Sequence, residues 1–173
     1  MKKLFALMLA LCLLCGCTAL ADTNLSWEEV EPFVQERGIT GDWYTFEQIA
    51  VAIMIPSGFE AQELPSDAYI GYFAAANNSA VGLMYVDVDG MDLQAYAEYL
   101  KNPEIGATEI EFGTLNGLPC VSYEVPANKT LNVAFTTEAG YILEAFCGPV
   151  NDDEDKTIGS YILASIQAYS AEE

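Results

Sequence analysis

The amino-acid sequence predicts an α+β domain: a curved antiparallel sheet of about seven strands with helices packed on its faces. Three observations lead there. Four short strand-like runs follow one another between Ala107 and Gly148, tight-turn residues separate them, and helical apolar spacing occurs before, between and after the strand runs.

The meander is the firmest of these. The runs Thr108–Leu115, Leu118–Val125, Thr130–Thr137 and Tyr141–Cys147 are split by Asn116-Gly117, Pro126–Lys129 and Glu138–Gly140. Asn-Gly between β-type runs signals a hairpin, because both residues tolerate the positive φ of a type I′ turn. Upstream, Ser26-Trp27-Glu28-Glu29 has the capping-box pattern. Trp27, Val30 and Val34 then share a helical stripe, with Gly38 as the stop and Pro32 expected to bend or restart the helix. From Trp43 to Ile55 the pattern reads as one strand with both faces covered: Ile49, Val51, Ile53 and Ile55 on one side, and Ala50, Ala52 and Met54 on the other.

Pro56-Ser57-Gly58 makes a turn, and Phe59–Leu64 a short continuation. Tyr69–Ala75 and Ala80–Val88 form a hairpin around Asn77-Asn78-Ser79. Asp92 is placed to cap a helix whose apolar positions are Leu93, Tyr96, Ala97 and Leu100, ended by Asn102-Pro103. The acids Asp152–Asp155 precede a last helix with Ile158, Tyr161, Ile162, Ser165, Ile166 and Tyr169 along one side, where they suit the helix dipole.

This order of elements resembles the PsbP-like superfamily over about Trp43 to Tyr169, through the Ile53-Met54-Ile55-Pro56-Ser57-Gly58-Phe59 strand end, the Leu115-Asn116-Gly117-Leu118-Pro119 hairpin and the closing Ser165-Ile166 helix. The superfamily includes extrinsic photosystem proteins, a yeast nuclear import factor that binds the Ran GTPase, and many bacterial lipoproteins. The resemblance implies an α/β/α sandwich and a non-catalytic accessory or partner-binding role. No catalytic motif belongs to the superfamily as a whole, so no site residue carries over.

The opening MKKLFALMLALCLLCGCTALAD has a basic start, an apolar run from Leu4 to Cys15 and then small residues, which is a secretory signal over residues 1–21. Two cleavage readings stand. Ala19-Leu20-Ala21 before Asp22 fits ordinary signal peptidase, whereas Leu14-Cys15-Gly16-Cys17 resembles a bacterial lipobox that would make a diacylated Cys17 the first residue. The lipoprotein reading is preferred. The expectation is an exported chain, secreted or held at the bacterial cell envelope by its N-terminal lipid, with residues 26–170 as a single domain.

Cleavage removes Lys2 and Lys3 but no acid, leaving 26 acids against four of the chain's six bases and moving the net charge from −20 to −22. Such a field repels phosphate, so nucleic acid and anionic lipid are excluded as partners. A protein or peptide partner, basic in character, fits the charge, and a monomer is expected. The absence of histidine removes the usual general base, the commonest zinc ligand and any Ser-His or Cys-His pair. The reading is therefore not an enzyme and without cofactor, a carboxylate-dependent extracellular hydrolase of glycosidase type being the alternative.

Asp87-Val88-Asp89-Gly90-Met91-Asp92 is the one stretch that resembles a calcium loop, with Asp87, Asp89 and Asp92 as candidate ligands. Its glycine stands two places early for an EF-hand, so a strand end, a turn and a helix cap account for it, and no metal is expected. Tyr69, Tyr72, Phe73 and Tyr85 admit a ligand groove, but their strand spacing favours core packing. Cys120 and Cys147 invite a disulfide in an exported chain. The hairpin registers set Cys120 opposite Phe135 and Cys147 opposite Leu131, with a strand between them, so both thiols should be free and buried.

Overall fold

The computed structural model describes residues 23–86, 90–137 and 139–169. In chain order these form β1 (Thr23–Leu25), α1 (Trp27–Glu36), β2 (Gly41–Phe46), β3 (Val51–Pro56), β4 (Phe59–Ala61), β5 (Tyr69–Ala75), β6 (Ala80–Tyr85) and α2 (Leu93–Leu100). There follow β7 (Thr108–Leu115), β8 (Leu118–Val125), β9 (Thr130–Thr136), β10 (Ile142–Gly148), α3 (Asp153–Ala164) and β11 (Gln167–Ala168).

The meander forms as its turns dictate. Asn116 and Gly117 have φ of 49° and 83°, the type I′ signature, and set Leu115 opposite Leu118. Val125 then faces Thr130, Cys120 faces Phe135 and Cys147 faces Leu131, the predicted registers. Both cysteines are buried, on β8 and β10 with β9 between them. Burial pushes the Cys120 thiol up to about 11 and that of Cys147 higher still.

The fold is α+β, with eight strands ordered β1-β7-β8-β9-β10-β6-β5-β4 in the large sheet and three, β11-β3-β2, in a smaller one. The large sheet is mixed rather than wholly antiparallel, because β1 runs parallel to β7. One of its faces is sealed by α1, α3 and the small sheet around Val51, Ile53, Ile55, Phe135, Leu143 and Ile166. The opposite face carries α2, whose Tyr96, Ala97 and Leu100 lie on Val121, Tyr123, Ala134 and Ile142.

The N-terminal half departs from expectation at three points. Trp43–Ile55 is not one strand but the hairpin of β2 and β3, because Glu47–Ile49 make a 3-10 turn and Ala50 takes a left-handed φ of 53°. β3 is nonetheless buried at all six positions, as a strand covered on both faces should be. Pro32 neither ends nor restarts α1, since Glu28, whose carbonyl loses its donor, and Pro32 both lie on the exposed side. The Ser26-Glu29 capping box does not form: the Ser26 side chain caps nothing, and the orphan Trp27 N–H donates to the Asn116 side-chain oxygen. The C-terminal stop is as predicted, with Gly38 at φ 69° and the Gly38 and Ile39 amides donating to Gln35 and Val34 in a Schellman motif.

The last helix is shorter than its apolar stripe. It begins at Asp152, whose carboxylate accepts from the Glu154 and Asp155 amides, and it ends at Ala164. The buried Ser165 hydroxyl donates to the Ile162 carbonyl and accepts from the Met54 amide, which turns the chain into β11 beside β3 and takes Tyr169 out of the helix. Asn116 fastens this end too, its amide donating to the Ala164 and Ile166 carbonyls at 2.9 and 2.6 Å.

Candidate functional site

The open part of the α2 face is a consequence of helix length. Eight residues make a helix about 12 Å long, whereas the five strand spacings from β7 to β5 span about 24 Å. α2 packs on β8 and β9. The β10-β6-β5 half keeps its Tyr69, Tyr72, Met84 and Phe146 side chains half-buried rather than sealed.

Two cross-strand rows carry the site. The first runs Tyr69, Met84, Glu144, Ala134, Val121, Phe112, and the second Tyr72, Gly82, Phe146, Asn132, Tyr123. Tyr69 and Tyr72 are three apart in sequence, so regular alternation would send them to opposite faces. A register shift between Tyr69 and Gly71 leaves Ile70 as the extra residue of a β-bulge, and both rings reach one face. Tyr69 meets Tyr72 edge-on at 5.8 Å between centroids and Phe146 at 6.3 Å. Gly82 makes room for this, because a Cβ there would collide with the Phe146 ring.

Glu144 stands between the covered and open halves. The hydroxyls of Tyr96, from α2 at 2.8 Å, and Tyr123, from β8, both donate to its Oε2. Each phenol has one proton and spends it there, so their mutual 3.2 Å approach has no proton to share. Among the described residues, Oε1 receives no donor. Burial, then the Glu144 charge, raises both phenols well above the ordinary tyrosine range, and burial, Tyr72 and Glu144 raise Tyr69 as well. Tyr96 and Tyr123 therefore remain donors throughout the neutral range.

Of the aromatic residues expected in the core, only Phe73 is there. Tyr69 and Tyr72 line the open face, and Tyr85 is exposed and edge-on to Tyr141 at 6.2 Å. Asp92 caps α2 by accepting from the Ala95 amide at 2.8 Å, while Asp87 and Asp89 lie outside the described residues, as does Cys17. The run Asp152–Asp155 is used at the start of α3, where Asp155 also accepts from the Asn151 amide. Glycosidase-type hydrolysis would need two carboxyl groups across a cleft. The two rows around Glu144 contain no second acid.

Sequence reasoning missed Glu144, and a signal was present. It is the single charge in Tyr141–Cys147, two residues before an aromatic and so on the same face as it.

No family model and no curated protein matches the chain. Among solved structures, the cyanobacterial PsbP protein CyanoP of Synechocystis superposes with a TM-score of 0.54 at 12% identity, over 74% of this chain and 92% of that one. The Ran-binding protein Mog1p of Saccharomyces cerevisiae gives 0.45 at 12% identity, over 75% and 96%. A Bacteroides thetaiotaomicron protein gives 0.44 at 13% identity, over 77% and 50%. The fold is PsbP-like.

Proposed function

We propose that the chain is an exported, non-catalytic accessory domain of the bacterial cell envelope, anchored through a diacylated Cys17, that binds a basic protein or peptide on the open half of its large sheet. The observation that carries this is the half-buried aromatic surface of Tyr69, Tyr72, Met84 and Phe146 bordering a single carboxylate. Large amphipathic rings of this kind supply contact area at low entropic cost, and binding hot spots are rich in them. A net charge of −20 makes a cationic partner the electrostatic match. The lipobox pattern Leu14-Cys15-Gly16-Cys17 supports the anchor.

Benzoylphenylalanine placed at Tyr72 and photolysed in the native envelope should crosslink a discrete partner that the same probe at Gln35 on α1 does not. Equal labelling from both positions, or none from Tyr72, refutes the binding face. Mass spectrometry of the mature chain should find diacylglyceryl-Cys17; an unmodified Asp22 terminus released to the medium refutes the anchor.

A further inference from the structure

The open face carries more than apolar area. Tyr69 stands nearly perpendicular to both its neighbours, at 82° to Tyr72 and 84° to Phe146, so adjacent rings turn their faces in different directions. Ring faces are the negative part of an aromatic quadrupole and attract a cation within about 6 Å of the centroid. Glu144 lies in the same cross-strand row as Tyr69, two strands away with Met84 between them, and on the same face of β10 as Phe146 two residues on. The Glu144 Oε2 is occupied by two phenols, which fix the group in place and leave Oε1 without a donor among the described residues. The salt bridges of the described residues lie elsewhere, joining Lys101 to Glu98 and Lys156 to Glu109 and Glu124.

Resting on the binding face proposed above, we infer that Tyr69, Tyr72, Phe146 and Glu144 together take a guanidinium group, the side chain of an arginine in the basic partner. Arginine is the residue that fits both halves of the site. Its plane stacks on a ring while its edge presents N–H donors to a carboxylate, and it is more weakly hydrated than a lysine ammonium. A second copy of this chain is a poor occupant, because two chains of net charge −20 repel one another.

The test uses the mature domain and the peptide acetyl-Gly-Arg-Gly-Arg-Gly-Arg-Gly-amide, titrated by calorimetry at low ionic strength beside its lysine and citrulline counterparts. The arginine peptide should bind several-fold more tightly than the lysine one, and the citrulline peptide, of similar shape but neutral, should not bind measurably. Glu144→Gln should weaken arginine binding about tenfold, as should Tyr72→Ala, which removes one of the rings; Glu28→Gln, an equal charge change on exposed α1, should leave affinity within about twofold. Equal losses from Glu144→Gln and Glu28→Gln would mean that only the overall field attracts the peptide, and would overturn the inference. So would equal binding of all three peptides, or no binding by the unmodified domain. A crosslink from Tyr72 together with indifference to arginine would defeat this inference alone, whereas loss of the crosslink defeats the binding face on which it rests.

Discussion

The two faces of the large sheet are built to different standards. The face under α1, α3 and the small sheet is closed: Val51, Ile53, Phe135, Leu143 and Ile166 are all at most 2% exposed. α3 comes close to β9 and β10, since a Cβ on its Gly159 would lie 3.1 Å from Leu131 and 3.2 Å from the Cys147 side chain. The face under α2 is closed only where that short helix reaches, and beyond it lie the half-buried Tyr69, Tyr72, Met84 and Phe146, with the carboxylate of Glu144 at the border. The first face is sealed throughout, and half of the second is not.

The sharpest way to break this comparison is to truncate matched residues on each face. Leu143→Ala, in the sealed layer, should cost about 3 kcal/mol in urea unfolding. Tyr72→Ala on the open face should cost less than about 1 kcal/mol; equal costs would mean that the second face is core after all. Asn116→Ala should approach the first value, at about 3 kcal/mol, because it unpairs the Trp27 amide and the Ala164 and Ile166 carbonyls and puts a Cβ-bearing residue without a turn preference at φ 49°. Asn116→Gly keeps the turn and should recover about 1 kcal/mol of that loss.

Tyr123→Phe tests the border between the halves, and should cost about 2 kcal/mol by removing a hydrogen bond to a carboxylate. The pH profile gives a separate reading. Native Tyr96 and Tyr123 hold their protons above the unfolded tyrosine value, so their contribution is complete below pH about 10 and is lost as pH rises beyond it. The alkaline fall in stability should therefore be shallower in Tyr123→Phe than in the unmodified chain.

Glu111 gives the smallest effect. Burial, then Glu109, raises its native carboxyl above the unfolded value, so the native state binds the proton more readily and stability is lost as pH rises through that range. Glu111→Gln should flatten the slope between pH 7 and pH 4 slightly, and an unchanged slope would show that Glu111 plays no part in it.

What could be read from the sequence was what short stretches decide for themselves. Asn116-Gly117 fixed the first turn of the meander, while the turns at Pro126–Lys129 and Glu138–Gly140 fixed the next two registers and so correctly placed Cys120 opposite Phe135 and Cys147 opposite Leu131. Asp92 was legible as a cap because capping is settled within three residues, whereas Asp152 was read only as one of four acids suiting the helix dipole. The open face was not legible, since it depends on a bulge at Ile70 that reverses the parity of Tyr69, and simple alternation has no means of registering that. Glu144 is one of 26 acids, and only the pairing of β8, β9 and β10 together with the docking of α2 brings Tyr96 and Tyr123 to it. Tyr169 was misplaced because its spacing continued a helical stripe that Ser165, bonded to the distant Met54 amide, brings to an end.

Asn116 also sets an order of events. Its side chain joins Trp27, near the start of the described chain, to Ala164 and Ile166, near its end, across 89 and 50 residues of sequence. A nascent chain lacking α3 can close the β7–β8 hairpin and pair β1 with β7, but α1 then lacks the helix it packs against. The sealed face should accordingly be completed late, when the last helix is released, and removal of the residues after Gly148 should loosen α1, far away in sequence, while β1 stays paired with β7.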